Sequence, residues 1–214
     1  MKGSKMNIAI LGTGNVGQAL ATGWLRAGHA ITFGSRQPTD EAAQALVATF
    51  QNKVAVADHA AAIAQAEVVV LAVPWNAAEA VVTSVADWGN KILIDATNPI
   101  APGWQLALGK DTSGGEAVQG WAKGARVVKA FNTTGYNNML DPMYAGATTT
   151  MFIAGDDGGA KEVVTQLAEA LGFDVTDAGD LTAARLLEPL ALLWIKLAVV
   201  QGQGREIAFK LVRR

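Results

Sequence analysis

The chain has 214 residues, no cysteine, two histidines, 17 basic against 19 acidic side chains, and half of its residues are hydrophobic. Without cysteine there is no disulfide framework, thiolate metal site, iron–sulfur cluster or cysteine nucleophile, and two imidazoles do not build a multi-histidine centre, so no metal site is expected. A net charge of −2 gives no electrostatic case for binding nucleic acid, and the hydrophobic share suits one compact domain, or one with a small appendage.

Residues 1–5 are polar, and the apolar run over 8–11 is too short for the core of a signal peptide. A cytoplasmic protein is expected. The first half alternates two patterns. Short apolar runs predict strands over 7–11, 30–33, 54–56, 67–73 and 91–95. Between them lie helical patterns over 16–27, 40–50, 58–65 and 76–86. In the first helix Val16, Leu20, Trp24 and Ala27 share a face, and Asp40 and Glu41 open the second favourably. The run Glu67 to Val73 is β-branched and continuous, as in a strand buried on both faces. Strands alternating with helices of this length predict an α/β fold: a Rossmann-type, doubly wound parallel sheet.

The second half is less regular. Residues 99–115 are rich in Gly, Pro and Ser and read as a long loop, followed by a helix over 115–122 and a strand over 126–130. Two further strands are expected at 148–153 and 173–176, flanking a helix over 159–171. A strongly apolar helix opens at Thr182, with a kink expected at Pro189. Its stretch 186–200 holds Glu188, Pro189 and Lys196 and is too short to span a bilayer. The expected division is a doubly wound domain over 6–145 and a small C-terminal α/β extension over 146–214. Trp194 and the leucines around it exceed what a small extension buries, so a homodimer is expected.

The sharpest motif is Gly12-Thr13-Gly14-Asn15-Val16-Gly17, placed between a predicted buried strand and a predicted helix. Gly12 permits the tight turn, Gly14 lets a pyrophosphate approach the backbone, and Gly17 lets the helix pack on the sheet. The helix start supplies free N–H groups. At the end of the second strand, where an NAD site places an acid, the chain reads Phe33-Gly34-Ser35-Arg36. Arg36 can pair with a 2′-phosphate and Ser35 can donate to it. A charge-assisted hydrogen bond is worth about 1.5–3 kcal/mol, roughly a tenfold to hundredfold preference for NADP over NAD.

Ligands of such a sheet sit outside the carboxyl ends of its strands. The informative ends are Val73-Pro74-Trp75, Asp95-Ala96-Thr97-Asn98-Pro99 and Phe131-Asn132-Thr133-Thr134-Gly135. They offer amides, small side chains and a ring, which suit a flat ring and a carboxamide. Asp95 and Lys129 are the ionisable groups nearby, and a structural ion pair is their expected role. With no His, Cys or Tyr–Lys proton donor in place, no catalytic acid or base is assigned. Hydride transfer between two planar rings needs mainly positioning, which favours a flavin-like acceptor over an alcohol or ketone.

These segments, with Val127 to Thr133, Gly155-Asp156-Asp157 and a closing turn at Gly202-Gln203-Gly204-Arg205-Glu206, resemble the NADPH-dependent reductases of the deazaflavin coenzyme F420. A similar pattern occurs in the cytosolic domain of the six-transmembrane epithelial antigen metalloreductases. The resemblance runs from Met6 to about Leu211. It implies a Rossmann domain with a small C-terminal domain, and direct hydride transfer between NADPH and a deazaflavin held in the cleft between them. It assigns NADP phosphate contacts to Thr13, Gly14, Asn15, Val16, Ser35 and Arg36. It assigns nicotinamide-side contacts to Val73, Pro74, Asn98 and Gly135. Acceptor contacts fall on Phe131, Asn132, Thr133 and residues 202–207. Asp40 departs from the archaeal enzymes, which carry a lysine there, and Phe131-Asn132-Thr133 is closer to the metalloreductase version. The alternatives kept open are an NADPH-dependent flavin or ferric reductase, a reductase of small imines or β-hydroxy acids, and a non-catalytic NADPH sensor or partner-binding protein. The imine and hydroxy-acid reductases usually add a long helical second domain, for which the residues after Met151 are too few.

Overall fold

The computed structural model describes residues 4–214; residues 1–3, part of the polar start read above, lie outside it. Its strands are β1 (Asn7–Leu11), β2 (Ala30–Gly34), β3 (Val54–Ala57), β4 (Val68–Leu71), β5 (Ile92–Asp95), β6 (Ile100–Ala101), β7 (Gln105–Leu106), β8 (Arg126–Lys129), β9 (Met143–Tyr144), β10 (Ala147–Thr148), β11 (Thr150–Gly155) and β12 (Asp174–Asp177). Eight of them form one sheet in the order β12-β11-β8-β5-β4-β1-β2-β3. From β3 to β8 all pairings are parallel, and the order reverses between β1 and β4. That reversal is where a doubly wound sheet binds its ligand.

Both faces of the sheet are apolar, so the central strands read as continuous hydrophobic runs rather than alternating ones. Ile8, Ile10, Val68 and Val70 face one core with Trp24 and Phe33. Ala9, Leu11, Val69 and Leu71 face the other with Ile63 and Trp88. The indole N–H groups inside these cores are satisfied: Trp24 donates to the Leu167 carbonyl at 2.9 Å and Trp88 to that of Val82 at 3.2 Å.

The helices are α1 (Asn15–Ala27), α2 (Glu41–Thr49), α3 (His59–Gln65), α4 (Trp75–Val82), α5 (Gly114–Trp121), α6 (Tyr136–Leu140), α7 (Gly158–Glu169) and α8 (Ala184–Ile195). Side-chain caps start four of them: Asp40, Asp58, Ser113 and Asp157 each accept from a backbone N–H three residues on. Gly28, at φ 97°, closes α1 in the left-handed conformation.

The structure departs from the sequence reading at several points. The expected loop over 99–115 contains the β6–β7 ribbon, and a second ribbon pairs β9 with β10. Helix α4 stops at Val82 rather than residue 86. Strand β11 joins the same sheet antiparallel to β8, with β12 parallel beyond it. Helix α8 runs unbroken through Pro189 and passes into a π-helical turn, Lys196–Val200. Among the described residues no helix is long and apolar enough to cross a membrane.

Candidate dinucleotide site

The turn after β1 is shaped by what a side chain would strike. Gly12 has φ 122°, and a Cβ there would lie 2.3 Å from the Ala72 carbonyl oxygen, so the turns after β1 and β4 touch backbone to backbone. A Cβ on Gly17 would lie 2.4 Å from the Gly12 oxygen and 3.0 Å from Ile10. Gly14 is different: a Cβ there would meet nothing within 4 Å. It is the N-cap of α1 and has no side chain to offer, so the first N–H groups of the helix face outward without a capping partner. An open cradle at an uncapped 13-residue helix is what a pyrophosphate requires. A dinucleotide therefore fits the residues present.

Around this turn lies a cavity of about 1100 Å³ bordered by Gly12, Thr13, Gly14, Ser35, Arg36, Val73 and Pro74. Seven of the residues expected from sequence are thus brought to one place. The Ser35 N–H donates to the Ala57 carbonyl at 2.9 Å, which holds the end of β2 against β3 and leaves Arg36 exposed at the rim. His59 borders the same cavity and was not read as a site residue from sequence; Asp40, which the resemblance set where the archaeal enzymes carry a lysine, borders it too. Burial, and after it the charge of Arg36, holds the His59 imidazolium below its ordinary range, with Asp58 opposing. A second cavity of about 590 Å³ lies along α1 toward Phe50 and Tyr136; it shares Asn15 with the motif but none of the glycines.

Asn98, Asn132, Thr133 and Gly135 do not border either cavity. Asn98 and Asn132 are bonded to one another at the ends of β5 and β8. The Asn98 amide donates to the Asn132 carbonyl at 2.9 Å, and the Asn132 amide donates to Asn98 Oδ1 at 3.1 Å and to the Leu187 carbonyl at 3.2 Å. Asn132 Oδ1 is buried and has no hydrogen-bond partner. Thr133 is 3% exposed. Gly135 is covered by Trp194, whose ring would stand 2.6 Å from a Cβ at that position. Trp194 is itself buried and donates to the Ile207 carbonyl at 2.8 Å, so it belongs to the interior rather than to a contact surface.

Phe131 requires a correction. Its side chain is 1% exposed and packs edge-on against Trp24 at 5.8 Å and Phe173 at 6.4 Å, inside the core. A φ of 63° at this residue turns the strand end and sends the ring inward. Asn15 and Val16 are the first residues of α1, with Val16 half-buried against the core.

Beneath the Asn pair lies an ion cluster. The β5–β8 register sets Asp95 beside Lys129. Lys129 Nζ lies 2.8 Å from Asp95 Oδ2, 2.8 Å from Glu188 Oε1 and 2.7 Å from the Thr97 carbonyl oxygen, and all three side chains are buried. Asp95 Oδ1 also accepts from the Thr97 N–H and hydroxyl, at 2.9 and 2.7 Å. Glu188 accepts from the N–H groups of Gly114 and Gly115 at the start of α5. Burial alone would lower the Lys129 ammonium, but Asp95 and Glu188 outweigh it and hold it above its ordinary value. The sequence reading found the Asp95–Lys129 pair and missed Glu188; its one signal was an acid on the apolar side of α8.

The family described as NADP oxidoreductase, coenzyme F420-dependent, matches residues 7–99. The F420-dependent NADP reductase of Methanothermobacter marburgensis is 34% identical over 209 residues, covering 91% of this chain and 93% of that protein. The chain belongs to the F420-dependent NADP reductase family. A solved structure from Arthrobacter sp. FB24, titled as a candidate F420-dependent NADP-reductase, superposes with a TM-score of 0.89 at 34% identity, over 97% of this chain and all of that one. The rat metalloreductase STEAP3 is 30% identical over 189 residues, which are 87% of this chain but 37% of that longer protein. The family thus extends beyond the matched first half, through β11 and α8.

Proposed function

We propose that the protein is an NADP-dependent oxidoreductase that passes hydride directly between NADPH and coenzyme F420. The observation that carries it is the uncapped start of α1 behind Gly12 and Gly14, opening onto a cavity whose far rim holds Ser35 and Arg36, with no acid directly at the end of β2. With both bound, a hydride would pass with its two electrons from the dihydronicotinamide to the deazaflavin ring, and the proton that completes the reduction would come from solvent. The chain's own part is positional. The N–H groups at the start of α1 hold the pyrophosphate, and Ser35 and Arg36 hold the 2′-phosphate. Val73 and Pro74 support the nicotinamide side, and Asn98 and Asn132, bonded to one another, fix the ends of β5 and β8 beside it. No side chain is asked to move a proton. Such a site gains its rate from juxtaposing two flat rings and excluding water.

In this reading residues 6–145 carry the dinucleotide and residues 146–214 complete the acceptor side. The exposed Leu186, Leu193 and Val200 on α8 and the turn after it form the contact of a homodimer, and the protein works in the cytoplasm. Anaerobic oxidation of NADPH by the purified protein, with F420 and FMN as parallel acceptors, tests the activity. Turnover with F420 and little with FMN is expected. Turnover with FMN alone would move the protein to flavin or ferric reduction, the reading that the match to STEAP3 favours. Binding of NADPH with no turnover on either acceptor would replace both with a sensor.

A further inference from the structure

The charges at the rim of the large cavity do not match a dianionic phosphate. The titratable side chains bordering it, among the described residues, are Arg36, Asp40 and His59. Arg36 and Asp40 cancel, although the Asp40 carboxylate is engaged in capping α2 through the Ala43 N–H at 2.7 Å. Asp58, next to His59, is likewise spent on the Ala61 N–H at 2.8 Å. His59 is held in place by β2: a Cβ on Gly34 would lie 3.0 Å from His59 Cδ2 and 3.6 Å from its Cα, so the imidazole rests on the residue that precedes Ser35 and Arg36. The glycine at position 34 is what admits the ring. The bond from Ser35 N–H to Ala57 O then ties both phosphate-side residues to the segment that carries His59.

We propose that His59 is a specificity-determining residue for the 2′-phosphate of NADP, taking up a proton from solvent as the phosphate binds and serving as the second cation beside Arg36. The inference rests on the NADP reading above. In the free protein, burial and Arg36 disfavour the charged imidazole while Asp58 favours it. Asp40 is the remaining charged group across the cavity. A phosphate dianion placed between Arg36 and His59 reverses the dominant Coulombic influence, because each cation then faces an anion rather than its like. NADH brings no such anion and should leave His59 neutral.

The test compares dissociation constants for NADPH and NADH from about pH 7 to 8.5, where a phosphate of second pKa about 6 is already dianionic and does not itself titrate. It uses the wild type, His59→Asn and His59→Lys, with calorimetry in two buffers to count protons. In the wild type the preference for NADPH should fall about tenfold across that range, the effect of losing most of one linked proton. Proton uptake should accompany NADPH and be absent with NADH. In His59→Asn the preference should vary less than twofold, with no uptake. His59→Lys, a permanent cation, should keep the preference high at the alkaline end. Equal slopes in wild type and His59→Asn, or no rescue by His59→Lys, would overturn the role of His59. A wild type that binds NADH as tightly as NADPH at every pH would instead overturn the NADP reading itself.

Discussion

Replacing Lys129 with methionine removes the cation from a cluster that holds two buried carboxylates, Asp95 at 0% and Glu188 at 1% exposure. Each carboxylate keeps some partners, Thr97 for Asp95 and the Gly114 and Gly115 amides for Glu188, but their mutual repulsion loses its screen. Removing one member of a buried ion pair costs about 3–5 kcal/mol. For a chain of this length each kcal/mol shifts the midpoint by about 2–4 °C, so a fall of roughly 6–20 °C is expected in thermal unfolding followed by circular dichroism. Adding Glu188→Gln should recover part of that loss, because the amide removes the unbalanced charge; the double-mutant cycle measures how much. The pH dependence follows from the raised ammonium. Its stabilisation is complete below the unfolded-state value of lysine and is lost as pH rises through the folded-state value. The gap between wild type and variant should therefore be full at neutral pH and shrink only in strong alkali. A Lys129→Met protein within about 1 kcal/mol of wild type at neutral pH, or one made worse by Glu188→Gln, would refute the cluster's assigned energetics.

The glycine turn separates folding from binding. Gly14→Ala places its Cβ in open space, so stability should stay within about 0.5 kcal/mol while the NADPH dissociation constant rises at least about tenfold through lost pyrophosphate contact. Gly12→Ala meets the Ala72 carbonyl and a φ of 122° and should lose both, as unfolding and binding titrations would report. Arg36→Glu should weaken NADPH by roughly tenfold to a hundredfold or more and NADH much less; equal losses would remove Arg36 from the 2′-phosphate. Leu186→Glu with Leu193→Glu places two charges on the exposed face of α8 and should yield monomers by light scattering, against dimers for the wild type; the same mass for both would dismiss that face as an interface.

Much of the fold was legible because burial on both faces leaves a plain trace. Val68 to Leu71 is a run of four apolar residues, three of them β-branched, as in a central strand of a covered sheet. Asp40 and Asp58 advertise helix starts through the turn chemistry of a short acid. What stayed hidden depends on the third dimension. Met151 to Gly155 reads the same whether parallel or antiparallel to β8, because direction is set by the connection rather than by the strand. Glu188 looks like a polar interruption until α8 is laid beside α5. Phe131 sits among ligand-side neighbours in sequence, and only the left-handed turn at that residue reveals that its ring belongs to the core. His59 lies far along the chain from Arg36 and meets it only because β2 and β3 pair.

The bond from Glu188 to Lys129 bears on how ligands come and go. Glu188 stands on α8, beyond the residues that carry the glycine turn, and its partners stand on β8 and at the start of α5. A clamshell motion swinging α8 away from the sheet would break all three contacts together. At about 3 kcal/mol or more, the open form would hold fewer than about one molecule in a hundred. Opening at α8 is therefore a minor state, whereas the cavity beside the glycine turn is bordered by the segments after β1, β2 and β4 and by none of the three charged residues of the cluster.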